Sequence, residues 1–320
     1  MSERTPEVHP LYRGRFAPSP TGPLHFGSLV AAVGSYLDAR HHGGHWYVRI
    51  EDLDPPREIP GAADDILQTL DALGLHWDGE IMYQSRRHSA YEAALVELRE
   101  GDWTFPCACS RKDIDSALGT DTPVRVYPGT CRNGLPAGRT ARATRARVDD
   151  ITLGFQDRIQ GLFQQDLGRE VGDFVVRRAD GLMAYQLAVT VDDAEQQISH
   201  IVRGSDLLDS TLRQIVLQQR LGHARPTYAH LPVAMDSEGR KLSKQTGAAP
   251  VNRRQPEEIL FAVLVFLGQE PPPELARGPL PTLLAWAADN WDLNRVPRLH
   301  SVPYSAAEPV LSQAGQRKIE

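Results

Sequence analysis

Apolar side chains recur at two spacings along the chain, and their order predicts an α/β architecture. Arg13 to Pro18 reads as a short strand running into a Pro/Gly loop, Pro18 to Pro23. Leu29, Val30, Val33 and Leu37 then follow helical spacing, and Gly43-Gly44 supplies a left-handed stop. His45 to Ile50 is a second strand. Ile66, Leu67, Leu70 and Leu73 form the apolar stripe of a helix ended by Gly74. Tyr91, Leu95 and Leu98 mark another, started near Ser85 and ended by Gly101. Strand, helix, strand, helix in this order implies a parallel sheet covered on both faces.

From Trp103 the texture changes. Cys107 to Gly138 is rich in turn residues and shows no sustained period, and Thr140 to Val148 interleaves arginines with small residues as a half-exposed strand does. Asp173 to Arg177 and Met183 to Val191 read as strands flanking an Asp180-Gly181 turn. Ile198 to Val202 is a strand, Leu207 to Leu221 an amphipathic helix, and Tyr228 to Met235 a strand leading into a lysine-bearing loop. Pro256 to Leu267 and Pro279 to Asn290 read as helices. The expected fold is a Rossmann-type, parallel-sheet α/β domain split by an insertion, with a small helical C-terminal region. The expected division is an N-terminal tail over 1–12 and a first half-domain over 13–102. An insertion over 103–180, a second half over 181–250 and a helical region over 251–320 complete it.

Composition narrows the class. The chain has 320 residues, 41% hydrophobic and 24% charged, ordinary usage for a folded protein. No apolar run approaches the roughly 18 residues of a membrane helix, and residues 1–10 lack the apolar core of a signal peptide. A cytoplasmic monomer with no membrane partner is expected. The net charge of −6 argues against a general nucleic-acid coat but not against a local basic patch. Arg132, Arg139, Arg142, Arg145 and Arg147 form such a cluster, open to two readings: phosphate contacts, or a solvated strand face paired with nearby acids. Only four basic residues are lysine, and two of them, Lys241 and Lys244, sit three positions apart.

Two segments carry chemistry. In Arg15-Phe16-Ala17-Pro18-Ser19-Pro20-Thr21-Gly22-Pro23-Leu24-His25-Phe26-Gly27-Ser28 a strand turns through Pro and Gly into a helix. Gly27 allows close backbone approach, the helix N-terminus is an anion site, and His25 there can donate to a phosphoryl oxygen. Alternatively His25 merely caps the helix. Lys241-Leu242-Ser243-Lys244 places two ammonium groups on a Gly-flanked loop, as suits a polyphosphate whose charge grows during reaction.

Together these segments resemble the His-x-Gly-His and Lys-Met-Ser-Lys-Ser elements that clamp ATP in class I aminoacyl-tRNA synthetases. Here they read His25-Phe26-Gly27-Ser28 and Lys241-Leu242-Ser243-Lys244-Gln245. Phe16 to Gly22, Arg49-Ile50-Glu51-Asp52-Leu53-Asp54, Tyr185 to Val189 with Asp192-Asp193, and His200 to Asp206 are similar to the glutamyl/glutaminyl branch. Ser28 in place of the second His is common in that branch, and both lysines survive the loss of the last Ser. The resemblance implies a class I synthetase catalytic domain that activates L-glutamate with ATP and Mg²⁺. His25, Lys241 and Lys244 would stabilise charge, with Gly27 and Ser28 lining the ATP site.

A glutamate substrate needs a cation for each carboxylate and an acceptor for its ammonium. Arg15 and Arg203 lie at strand ends, where α/β sheets place ligands, and guanidinium binds carboxylate as a fork. The resemblance puts Arg203 on the side-chain carboxylate. Glu51 follows a strand and suits the ammonium, with Ser19 and Tyr185 as neutral partners; Asp52 and Asp54 are read as structural. Cys107, Cys109 and Cys131 lie in one 25-residue segment and suit a structural Zn²⁺. The resemblance supplies Tyr127 as the fourth ligand. The absence of a large anticodon-binding region matches the truncated paralogues of the branch, which esterify glutamate to the cyclopentenediol of queuosine in tRNA(Asp). The alternatives are a minimal enzyme charging a tRNA 3′ end, another His-x-Gly nucleotidyl transferase, and an inactive RNA-binding module.

Overall fold

The computed structural model describes residues 11–118, 126–242 and 251–304. Lys244 therefore lies outside the described residues. In chain order the elements are β1 (Arg13–Phe16), α1 (Phe26–His41), β2 (His45–Ile50), α2 (Ala62–Ala72), β3 (Met82–Tyr83) and α3 (His88–Glu100). Next come β4 (Thr104–Cys107), α4 (Arg111–Leu118), β5 (Ala143–Ala146), β6 (Thr152–Asp157), β7 (Gly161–Asp166) and β8 (Phe174–Arg177). Then follow α5 (Tyr185–Glu195), β9 (His200–Gly204), α6 (Leu208–Arg220), β10 (Thr227–Leu231) and β11 (Val233–Met235). The chain continues through α7 (Pro256–Phe266), α8 (Leu280–Asn290) and β12 (Ser301–Pro303).

β1 runs parallel to β2 with Arg15 opposite Tyr47, and β2 runs parallel to β3. β9 and β10 are also parallel, with Arg203 opposite His230. The two groups meet at β1 and β9, where the Ser199 amide donates to the Arg13 carbonyl at 3.0 Å. The strand order is thus β3-β2-β1-β9-β10, and the winding reverses between β1 and β9. That reversal opens a crevice at the carboxyl ends of both strands. Arg15 and Arg203 stand there.

The apolar stripe of α1 explains its place. Leu29, Val33 and Leu37 are fully buried and pack with Trp46, Ile50, Leu70, Leu260 and Leu264 in one core. Gly43 takes φ +61° and ends the helix, as its lack of Cβ permits. On the other face of the sheet, Leu187, Leu212 and Ile215 pack with Tyr91, Phe155 and Tyr228. Among the described residues no helix is long and apolar enough to cross a membrane.

The structure corrects the strand expected over Met183 to Val191. Only Met183 makes a bridge, to Arg177 across the turn at Gly181, and the rest is helix α5. Leu187 to Val191 is an unbroken buried run, so it carries no period that separates helix from strand. The strand expected over Tyr228 to Met235 is split at Pro232, which has no N–H for a ladder. The pattern also gave no sign of the β6–β7 hairpin, nor of β6 lying parallel to β10 through Asp157 and Tyr228.

Candidate active site

A cavity of about 530 Å³ opens at the crevice. Among its lining are Arg15, Ser19, His25, Gly27, Ser28, Glu51, Tyr185, Arg203 and Lys241, brought in from β1, the following loop, α1, β2, α5, β9 and the lysine loop. Thr21, Arg57 and Asp206, which sequence reasoning did not single out, line it too.

At the α1 end, His25 is the N-cap. Its Nδ1 accepts the Ser28 amide at 3.3 Å, and its Nε2 lies 3.0 Å from Ser28 Oγ. Capping and cavity lining are therefore not alternatives: the capping ring also lines the cavity. A Cβ on Gly27 would sit 3.2 Å from the Leu242 carbonyl oxygen and 3.2 Å from the His25 ring. The absent side chain keeps the two loops in close approach. Lys241 Nζ lies 2.6 Å from Asp206 Oδ2, and both side chains are over a third exposed. An exposed pair of this kind contributes at most about 1 kcal/mol, so a polyphosphate can readily displace Asp206.

At the opposite end the charges are buried and tightly paired. Asp193, on α5, receives Arg49 Nη1 at 2.8 Å and Arg15 Nε at 3.2 Å. Burial alone would raise the Asp193 carboxyl, but Arg49 and Arg15 outweigh it and hold it below the usual range. Asp192 takes Arg87 at 2.6 Å, Gln84 at 2.7 Å and Tyr91 at 2.8 Å. Glu51 is 9% exposed and lies 3.5 Å from Arg49 Nη2. Burial pushes its pKa up to about 7, against the pull of Arg49 and Arg15. Arg49 and Asp193 were missed as working residues because periodicity reports that a strand is buried, not which charges meet behind it.

Arg203 is 4% exposed. Its Nε donates to His230 Nε2 at 3.1 Å and its Nη2 to Thr211 Oγ1 at 2.9 Å. Its Nη1 is buried with no hydrogen-bond partner among the described residues, a donor left for a ligand. Asp52 accepts from the Ser85 amide and hydroxyl at 2.8 and 2.6 Å, whereas Asp54 pairs with Arg57 and Arg178. Neither lines the main cavity, in keeping with the structural reading.

The insertion brings the cysteines together. Their three sulfurs lie within 4.8 Å of one another, with Cys109 and Cys131 3.6 Å apart. Tyr127 Oη is 3.5 Å from both the Cys107 and Cys109 sulfurs. A tetrahedral zinc site sets S···S near about 3.8 Å and S···O near about 3.5 Å, so the donor set fits. The neighbouring arginines have partners within the protein. Arg132 pairs with Asp173, Arg139 with Asp113 and Arg147 with Asp102, while Arg145 lies over the Tyr127 ring and donates to Cys107 Sγ. Ion pairing thus accounts for three of the five arginines, though with acids other than the adjacent Asp149 and Asp150.

Residues 12–271 match the family model for the catalytic domain of class I tRNA synthetases, E and Q. The chain is 60% identical over 289 residues to a glutamyl-Q tRNA(Asp) synthetase of Dechloromonas aromatica, covering 90% of this chain and 96% of that one. It is 50% identical over 292 residues to one from Pseudomonas aeruginosa, covering 91% and 97%. The chain belongs to the glutamyl-Q tRNA(Asp) synthetase family. Among solved structures it is similar to a glutamate tRNA ligase from Elizabethkingia meningosepticum in complex with its amino acid. That match has a TM-score of 0.79 and 26% identity, over 95% of this chain and 70% of that one. The shared fold places this member of the glutamyl-Q tRNA(Asp) synthetase family among the class I α/β catalytic domains, with the parallel sheet expected from the sequence.

Proposed function

We propose that the protein activates L-glutamate with ATP, without tRNA, and transfers it to the cyclopentenediol of queuosine in tRNA(Asp). The observation that carries the amino-acid reading is the charge layout of the cavity: Arg15 and Arg203 for two carboxylates, with Glu51 lining the same cavity for an ammonium. Ser19 and Tyr185 add neutral hydrogen-bonding groups. The acceptor reading draws on the names of the relatives.

In the first step an α-carboxylate oxygen of glutamate attacks the α-phosphorus of ATP, and the bond to pyrophosphate breaks. The nucleophile is already ionised near neutrality, so no general base is required. The protein supplies in-line positioning and charge stabilisation. His25 and Ser28 face the phosphates at the α1 N-terminus, Gly27 gives them room, and Lys241 with Lys244 meets the leaving pyrophosphate. Mg²⁺ accompanies the ATP phosphates and offsets their charge. In the second step a queuosine hydroxyl attacks the acyl carbon of the adenylate and AMP leaves.

Cys107, Cys109, Tyr127 and Cys131 form a closed four-ligand set that suits a structural Zn²⁺ stapling the insertion, with no open position for chemistry. Purified protein is expected to carry about one zinc per chain by elemental analysis, and Cys109→Ala to carry none while melting at lower temperature. Full zinc retention by Cys109→Ala would remove this assignment. The domain division over 13–102, 103–180, 181–250 and 251–320 is retained as part of this reading, as are a monomeric state and a cytoplasmic location.

Glu51 gives the reaction a pH dependence of known sign. An ammonium binds the carboxylate form, which predominates only above the carboxyl's pKa of about 7. The KM for glutamate in pyrophosphate exchange is expected to fall by about tenfold between pH 6 and pH 8, and Glu51→Gln to flatten that dependence. An unchanged profile in Glu51→Gln would take the ammonium away from Glu51. The acceptor is tested with labelled glutamate, which should attach to tRNA(Asp) carrying queuosine and not to its unmodified transcript. Labelling of unmodified tRNA(Glu) instead would establish a minimal charging enzyme.

A further inference from the structure

From Arg203 in the cavity wall a buried chain of three groups runs inward: Arg203, His230 and Asp157. His230 and Asp157 are 0% and 1% exposed, and neither lines the cavity. Asp157 Oδ1 accepts three backbone N–H groups, from Ile159 at 2.9 Å, Gln160 at 2.9 Å and His230 at 3.1 Å. Its Oδ2 lies 2.6 Å from His230 Nδ1. A carboxylate so placed only accepts, so the imidazole proton belongs on Nδ1. The other ring nitrogen, Nε2, lies 3.2 Å from Thr211 Oγ1, which can donate or accept, and meets the Arg203 Nε–H at 3.1 Å, and an arginine only donates. The Asp157 and Arg203 contacts are both satisfied by one tautomer alone, neutral with Nδ1–H. Burial, reinforced by the Arg203 charge, keeps the ring neutral, with its pKa lowered to about 4 despite Asp157.

We propose that His230 is a positioning residue for carboxylate recognition, its Nε2 lone pair holding Arg203 Nε so that the guanidinium offers Nη1 to the substrate side chain, with Asp157 fixing the tautomer. Thr211 completes the clamp by taking Nη2, which leaves Nη1 as the buried donor without a partner among the described residues. A guanidinium free to rotate presents any of its edges, to carboxylate or amide alike; one fixed through Nε presents a single end. The selectivity for glutamate over glutamine is then set partly by a ring and an acid that touch neither. Asp157 arrives on β6, from the segment read as the insertion, so that segment also shapes the amino-acid site. This inference rests on the glutamate reading of the cavity.

The test uses glutamate-dependent ATP–pyrophosphate exchange by the full chain. Absence of exchange in the unaltered protein would defeat the glutamate reading itself, independently of His230. Given exchange, His230→Asn keeps a donor toward Asp157 but loses the acceptor for Arg203. Asp157→Asn can donate to Nδ1 and so drives the ring proton to Nε2, against Arg203. Each is expected to raise the KM for glutamate by about tenfold or more, to lower glutamate-over-glutamine selectivity by a similar factor, and to leave the KM for ATP within about twofold. A KM for glutamate within about twofold of the unaltered protein, in either variant when folded, overturns the proposal. Should neither variant fold, ¹⁵N NMR of the unaltered protein decides: a neutral ring with Nδ1–H supports the proposal, and Nε2–H or an imidazolium near neutral pH overturns it.

Discussion

Arg203→Ala is expected to lower glutamate-dependent pyrophosphate exchange, as kcat/KM, by on the order of a hundred- to a thousandfold. The substitution strips the incoming carboxylate of its cation and removes the Arg203 donors from the buried His230 Nε2 and from Thr211 Oγ1, leaving the Thr211 hydroxyl 3.2 Å from Nε2 as that nitrogen's remaining neighbour. Both effects fall in a site shielded from water, where a missing charged partner costs most. Arg203→Lys is expected to recover little of the loss. An ammonium cannot fill the Nε and Nη2 contacts while also reaching the ligand. The loss should appear in the KM for glutamate, with the KM for ATP nearly unchanged. A variant that retains full exchange would move the carboxylate site elsewhere in the cavity.

The largest stability effect is expected at Asp193. Asp193→Ala removes the carboxylate that Arg15 and Arg49 share and leaves two guanidinium groups buried at 3% and 0% exposure. Breaking a buried pair from one side costs about 3–5 kcal/mol, and here one deletion takes a carboxylate from two cations, of which Arg49 keeps Glu51 and Asp192 nearby. Urea unfolding should show a lower midpoint with an unchanged slope, the free-energy loss being that slope multiplied by the midpoint shift. A loss below about 1 kcal/mol would mean that Asp192 and Glu51 neutralise both arginines unaided. The same pairing fixes an acid limit. The Asp193 carboxyl is held below its unfolded value, so its stabilisation is fully present above about pH 4 and fades as pH falls through the depressed value.

The sequence was most informative where a period and a stop signal coincide. The stripe of α1 with Gly43, and the buried strands β1 and β2, are legible because one face of each is apolar and the turn chemistry is unambiguous. α5 was not legible, since Leu187 to Val191 is buried all round, Thr190 included, and a two-sided core erases the helical period. Arg15, Ser19, His25, Glu51, Tyr185, Arg203 and Lys241 were found through motif order, and they share one cavity. Lys244 lies outside the described residues. Asp193 entered only as part of a motif, without a role, and His230 and Asp157 escaped, because their importance lies in what they meet across the sheet. His230 sits in an apolar strand between Ala229 and Leu231, and nothing in its neighbours signals the acid 73 positions earlier.

The pairing of β11 with β12 has a consequence for the order of assembly. β11 leads into the lysine loop, and its parallel ladder runs Val233 to Ser301, Ala234 to Val302 and Met235 to Pro303. The Val233 amide and the Ser205 hydroxyl also both donate to the His300 carbonyl. The base of the loop therefore closes on a strand made more than sixty residues later, whereas the β1–α1–β2 unit closes within itself. Contacts of such long sequence separation form late, and a chain emerging from the ribosome folds its N-terminal parts first. A nascent chain ending before residue 300 would hold a formed amino-acid crevice beside an unanchored lysine loop, so competence to react with ATP is gained only once the strand Ser301–Pro303 has been made.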